Sequence, residues 1–225
     1  MKDKKIFIIG SVLICSFVMS GIDAFIEINY LYRSILKMIL FLFFPFCYFS
    51  LDKEEVKKMK QLFILDKKNL LFSFGLGAFV YFVIMSAYFI FRNMIDLNTI
   101  QNALLSNVGV SAENFLFVAL YISFINSFLE EFFFRGYAFI LLKDHVKPSF
   151  AYLFSASLFA FYHVGMTISW FHPVIYVLAM LGLLLGGMIF NALNDRFGTI
   201  YSSWIVHMCA NFAINTVGFI LFGIL

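Results

Sequence analysis

Long apolar runs recur along the whole chain, and they constrain its fold more than any other feature. The runs have 17–28 residues, and a helix needs about 17–25 residues to cross the hydrocarbon core of a bilayer. Only 13% of the 225 residues are charged and 63% are hydrophobic, whereas a soluble domain has about 25% charged residues. The pattern predicts an all-α integral membrane protein with about seven transmembrane helices.

The bounds of the runs locate seven predicted spans, and this number is accurate to plus or minus one. They are Ile6–Phe25, Ile35–Leu51, Leu70–Phe91, Phe115–Leu142, Phe150–Trp170, Val174–Leu193 and Ile200–Leu225. The last run is long, and it is compatible with one helix or with a break near Gly218. No linker divides the chain, so we expect one polytopic domain, with N-terminal spans and interfacial loops in residues 1–114 and a functional core in residues 115–225.

Basic residues are distributed unevenly between the predicted loops. Twelve of the sixteen lie in the N-terminal tail and in loops on the same side of the bilayer, and only Arg33, Lys37 and Arg92 lie in the opposite loops. The positive-inside rule therefore predicts a cytoplasmic N-terminus. The charged segment Asp52–Asn69 is expected at the cytoplasmic interface, either against anionic lipid or as a solvated loop. The net charge of +3 is confined to loops and gives no indication of nucleic-acid binding.

Glu130, Glu131 and Arg135 place three charges inside the fourth apolar run. A charge at the centre of a spanning helix costs about 2.5–3.5 kcal/mol, so three cost about 8–10 kcal/mol before any pairing. Glu131 and Arg135 are spaced i,i+4 and can pair on one face of a helix. Glu130 points about 100° away from that face, which leaves it available for chemistry. The alternative is a buried ion-pair network that only joins helices.

Polar side chains in two later runs lie at depths that overlap with that of Glu130. Measured from the cytoplasmic end of each run, Glu130 lies at about 18 Å, His163 at about 21 Å, and His207 and Asn211 at about 12 and 18 Å. His207 and Asn211 are spaced i,i+4, so an imidazole and an amide can both donate to one developing oxyanion. Each histidine can instead serve as an interhelical hydrogen-bond partner.

Two other functions are compatible with the same side chains, a zinc site and a proton-coupled transporter. Glu130, His163 and His207 are ligand types found in zinc sites. Their spacing does not require a metal, however, and Asn211 fits an oxyanion donor better than a ligand, so we favour a site with no metal or other cofactor. A transporter with a proton-coupled Glu130 or His163 would need paired broken helices in an inverted repeat, and the sequence has no such pattern.

Three motifs on separate runs resemble those of the CPBP family, the CAAX proteases and bacteriocin-processing proteins, which include the type II CAAX prenyl endopeptidases. In chain order they are Glu130-Glu131-x-x-x-Arg135, Phe159-x-x-x-His163 and His207-x-x-x-Asn211. The segment from Gly182 to Trp204 is also similar to the family's approach to its third motif. Each motif alone is weak, but their order on three runs is specific, and the resemblance covers about Phe115–Phe212.

The resemblance implies an all-helical, conical intramembrane core and a metal-independent glutamate endopeptidase. In such a site Glu130, together with His163, activates a water molecule. His207 and Asn211 stabilise the oxyanion of the tetrahedral intermediate. Glu131 and Arg135 orient the site, and Phe159 supports it.

The resemblance leaves the biological role open. We expect the substrate to be a membrane-associated peptide, such as a leader or a pheromone precursor, in the plasma membrane of a bacterium. The alternative is a non-proteolytic protein for bacteriocin self-immunity, or a scaffold, because some members of the family have such roles. The sequence does not specify the oligomeric state.

Overall fold

The computed structural model describes residues 2–51, 53–65, 67–168 and 170–225, and the regular elements among them are all helical. The helices are α1 Lys2–Phe25, α2 Tyr30–Leu51, α3 Lys53–Gln61, α4 Lys67–Phe91, α5 Leu97–Val108, α6 Phe115–Leu141, α7 Pro148–Tyr162, α8 Val164–Thr167, α9 Pro173–Phe197 and α10 Tyr201–Leu221. In this described part of the chain, seven helical segments are long and apolar enough to cross a membrane. Each overlaps one of the predicted spans, α7 and α8 together forming one of them, and the all-α membrane fold is confirmed.

The last span is a single helix. α10 passes through Gly218 without interruption and ends at Leu221. A Cβ atom at Gly218 would lie only 2.2 Å from Cζ of Phe115, at the beginning of α6. The glycine therefore serves the packing of α10 against α6 and does not break the helix.

The second span begins at Tyr30 rather than at Ile35. The assignment of Arg33 and Lys37 to an outer loop was therefore wrong, because both residues lie within α2. Their side chains are only 10% and 12% exposed, and each pairs with a carboxylate inside the bundle. A helix can carry such cations at this depth when another helix supplies the opposite charge.

α6 runs through the middle of the bundle, and α1, α2, α7, α9 and α10 pack around it. Phe133, Phe134 and Tyr137 of this helix are fully buried. Its backbone is π-helical over Tyr121–Asn126 and again over Glu131–Leu141. Such stretches are rare and occur frequently at functional sites.

Glycines allow the helices around the centre to approach closely, as is common in membrane proteins. A Cβ atom at Gly165, on α8, would lie 2.0 Å from the carbonyl oxygen of Ser20 on α1. A Cβ atom at Gly187, on α9, would lie 3.0 Å from Cα of Ala156 on α7. These two contacts hold the α7–α8 segment between α1 and α9.

The charged segment between the second and third spans packs onto the lysine-rich end of the bundle. The buried Leu62 accepts hydrogen bonds at its carbonyl oxygen from the Ile200 amide, at 3.0 Å, and from the Thr199 hydroxyl, at 2.9 Å. Ile64 and Leu65 are exposed. Asp52 and Asp66 fall outside the described residues. That this segment meets anionic lipid stays a prediction.

Replacing Gly165 by alanine should destabilise the bundle, because the added Cβ meets backbone atoms of Ser20 that cannot move aside. We expect a loss of stability of about 1–3 kcal/mol, as for other overpacked contacts, measured as a lower Tm in detergent. Gly182→Ala is the matched control, because nothing lies within 4 Å of a Cβ at that position. Equal melting temperatures for the two variants would contradict the assigned contact.

Candidate active site

The Glu130 carboxylate lies in the interior of the bundle, and its side chain is 1% exposed. One of its oxygens, Oε1, is contacted by three donor atoms from three helices. The Lys37 ammonium on α2 lies at 3.2 Å, the Asn126 amide nitrogen on α6 at 2.7 Å and the Tyr162 hydroxyl on α7 at 2.5 Å. These contacts fix the orientation of the carboxylate.

The second oxygen of Glu130, Oε2, is directed at a different group. It lies 3.6 Å from Nε2 of His207 on α10. This separation is longer than a hydrogen bond, so the two atoms face each other without a direct bond. The carboxylate thus has one oxygen that is held and one that faces an imidazole.

His207 also contacts the neighbouring acid. Its Nδ1 lies 2.9 Å from Oε1 of Glu131, and the imidazole is buried. An Nδ1–H that donates to a carboxylate fixes the orientation of the ring and directs Nε2 to the opposite side. His207 therefore lies between Glu131 and Glu130, with one ring nitrogen facing each of them.

Arg135 pairs with Glu131, as their spacing predicts. The Nη1 atom lies 3.3 Å from Oε1 of Glu131, and both side chains are 0% exposed. The guanidinium carbon lies 4.0 Å from the centre of the Phe159 ring and 4.9 Å from that of Phe190. Phe159 thus contributes a cation–π contact that holds Arg135 beside the acid.

His163 lies at the junction of α7 and α8. Its Nδ1 lies 2.7 Å from the carbonyl oxygen of Phe159, so an Nδ1–H at this position donates to the backbone and directs Nε2 away from it. Its ring centre is 4.3 Å from that of Tyr162, whose hydroxyl contacts Glu130.

Asn211 follows His207 by one turn of α10 and lies against the π-helical part of α6. Its amide nitrogen donates to the carbonyl oxygen of Ile122 at 3.1 Å. His207 and Asn211 therefore face the same helix, but in this state they donate to different groups. Asn215 and Trp204 make similar contacts, since they donate to the carbonyl oxygens of Ala119 at 3.1 Å and Phe124 at 3.2 Å.

The site contains two polar groups that the sequence reasoning did not identify, Lys37 and Tyr162, and both contact Glu130 directly. Asn126 lies one turn before Glu130, a spacing that allows a hydrogen bond between them or a role in helix packing, and in the structure it contacts both Glu130 and Lys37. The sequence does contain a signal for Lys37. A lysine within an apolar helix requires an acidic partner, and Glu130 was the buried acid without a cation on its own helix.

Histidine, cysteine and carboxylate side chains do not form a metal-holding group of three or more within the described ranges. Glu130 faces His207 with one oxygen and is bonded to Lys37, Asn126 and Tyr162 through the other. The arrangement is suited to proton transfer between a carboxylate, an imidazole and a small polar molecule.

Comparison with known proteins supports the resemblance drawn from the motifs. Residues 112–213 match the sequence model of the family described as Type II CAAX prenyl endopeptidase Rce1-like. The matched segment includes all three motifs, and the predicted resemblance is confirmed. Curated proteins and solved structures gave no match to the chain. The family is a protease family, so the match supports peptidase activity in a multi-pass membrane protein.

Removing the positive charge of Arg135 should strongly destabilise the protein, because Glu131 would keep a buried charge without the guanidinium that pairs with it. We expect Arg135→Met to cost about 3–5 kcal/mol, measured as a lower Tm in detergent. The double variant with Glu131→Gln should recover part of this loss. An unchanged Tm for Arg135→Met, or no recovery in the double variant, would show that the pair is not coupled.

Proposed function

We propose that this protein, with its Rce1-like segment, is a glutamate-type intramembrane endopeptidase that hydrolyses a peptide bond of a membrane-associated peptide. The observation that supports this best is that the two carboxylate oxygens of Glu130 have different surroundings. One oxygen is held by three donors, while the other faces the imidazole of His207 at 3.6 Å. A carboxylate held in this way is preorganised to act as a general base.

In the proposed first step, a water molecule binds between Oε2 of Glu130 and the imidazole of His163. Glu130 removes a proton from the water molecule, and the water oxygen attacks the carbonyl carbon of the peptide bond. The carbonyl π electrons move to the carbonyl oxygen, which becomes an oxyanion. Positioning and general-base action by such a group contribute about 10²–10⁴-fold to the rate of hydrolysis.

The oxyanion is stabilised by side chains of α10. His207 donates Nε2–H, and the Glu131 carboxylate on its Nδ1 stabilises the doubly protonated ring. The amide of Asn211 has two N–H groups; one bonds to Ile122, and the other is offered to the oxyanion. Preorganised donors of this kind are each worth about 10²–10³-fold in rate.

The tetrahedral intermediate then collapses with cleavage of its C–N bond. Glu130, which holds the proton taken from water, transfers it to the leaving amine. The products are a peptide with a new carboxyl group and a peptide with a new amino group. Arg135 and Phe159 act through Glu131 by holding it against His207.

The proposal includes the setting of this reaction. The lysine-rich end of the bundle faces the cytoplasm of a bacterium, and the protein lies in the plasma membrane with its N-terminus inside. The reaction uses no metal or other cofactor, so a chelating agent should leave cleavage unchanged. The substrate is a peptide held at the bilayer, and no nucleic acid takes part.

Glu130→Gln, Glu130→Ala, His163→Ala and His207→Ala should each reduce cleavage at least about 100-fold, because each removes a group that handles the reacting proton or oxyanion. Mass spectrometry of membrane peptides from cells that express the native or the Glu130→Gln protein identifies the substrate. The purified proteins in liposomes then give the cleavage rates. His172→Ala is the control, since this histidine is exposed at the beginning of α9.

Full cleavage by the Glu130→Ala protein would overturn the mechanism, provided that the variant is inserted and as abundant as the native protein. Identical peptides in the native and Glu130→Gln membranes, together with protection of both cell lines against a bacteriocin, would instead indicate a non-proteolytic immunity protein.

A further inference from the structure

We propose that Lys37 is a positioning residue of this active site. Its ammonium group supplies the counter-charge of Glu130 and orders the hydrogen bonds on Oε1, so that Oε2 alone acts as the base. This inference rests on the proposed peptidase function. Lys37 lies outside the segment 112–213 that matches the family, so the match assigns no role to it.

The contacts of Lys37 account for its whole hydrogen-bonding capacity. The Nζ atom lies 2.6 Å from the Tyr162 hydroxyl, 2.7 Å from the Asn126 amide oxygen and 3.2 Å from Oε1 of Glu130. An ammonium has three N–H groups, and these three acceptors use them all. Lys37 therefore acts through Glu130, with no N–H left to bind a substrate.

The ammonium also sets the direction of the neighbouring neutral groups, because it can only donate. The Tyr162 hydroxyl must accept from Lys37, which turns its own hydrogen towards Glu130 at 2.5 Å. The Asn126 oxygen must likewise face Lys37, so that its amide nitrogen donates to Glu130 at 2.7 Å. Without the ammonium, the hydroxyl can rotate and the amide can flip, and the carboxylate loses its fixed orientation.

Lys37 is the cation that pairs with Glu130, because the neighbouring arginines pair with other carboxylates. Arg33, one turn before Lys37 on α2, pairs with Asp23 on α1 at 3.0 Å. Arg135, on the other side, pairs with Glu131 at 3.3 Å. Among the described residues, Lys37 is the lysine or arginine that lies within 4.0 Å of Glu130. Because the charge of Lys37 neutralises that of Glu130, Glu130 does not need the Nε2–H of His207. That N–H can therefore donate to the oxyanion.

Kinetics of three variants test the positioning role. Lys37→Met removes the charge and keeps an unbranched chain, Lys37→Arg keeps the charge, and Lys57→Met is the control, because Lys57 forms an exposed pair with Glu54 on α3. Cleavage of the peptide identified in native membranes is measured in liposomes. We expect Lys37→Met to lower kcat at least about 100-fold with KM within about twofold, since the loss affects the base and not binding.

Lys37→Arg should recover at least about tenfold of the lost kcat, and Lys57→Met should match the native protein. A residue with a merely structural role would lower the amount of active protein without this recovery by arginine. Unchanged kcat in Lys37→Met, with cleavage abolished in Glu130→Gln, would overturn the inference and leave the proposed function standing.

A double-mutant cycle, followed by melting temperature, tests the Lys37–Glu130 pair and requires no substrate. Lys37→Met and Glu130→Gln should each lower the Tm in detergent, because each leaves one buried charge without its partner. The double variant should melt at a higher temperature than Lys37→Met alone. Additive losses would overturn the inference. Equal membrane peptides in native and Glu130→Gln cells would overturn the proposed function. The positioning role of Lys37 would then be overturned as well, even where the melting temperatures show that the two residues are coupled.

Discussion

The structure depends on the balance of charge inside a bundle that is otherwise apolar. Glu130 and Glu131 are adjacent in the chain, yet each has its own cation, Lys37 on α2 and Arg135 on α6. A buried charge without a partner costs several kcal/mol, so these pairs allow two carboxylates to remain at this depth. The Lys37–Glu130 pair also ties α2 to α6, and His207 adds α10 to the same network.

Close contacts of the backbone also contribute to this arrangement. Close contacts at Gly165 and Gly187 hold α7 and α8 between α1 and α9. His163 lies at the α7–α8 junction, two residues before Gly165, and its Nδ1 is bonded to the backbone of Phe159. Packing of small residues thus helps to determine the position of an imidazole whose Nδ1 is bonded to the backbone one turn earlier.

Several parts of this architecture could be predicted from the sequence, and others depend on contacts between distant elements. The spans follow from run length, and the Glu131–Arg135 pair follows from helical spacing within α6. The contact of Lys37 with Glu130 joins residues 93 positions apart, and no periodicity relates them. The first turn of α2, residues 30–34, was missed because Arg33 lowers the hydropathy of that segment, and its pairing with Asp23 on α1 joins two helices.

The bonds from Trp204, Asn211 and Asn215 to carbonyl oxygens of α6 have a mechanical consequence. They form a row along the boundary between α6 and α10, in which a side chain of one helix reaches the main chain of the other. Sliding or parting the two helices would leave these amides and carbonyls unpaired in hydrocarbon, which is costly. These bonds therefore hold α6 and α10 together as one unit, and we expect any separation of helices to occur where neighbours are joined by apolar contacts alone.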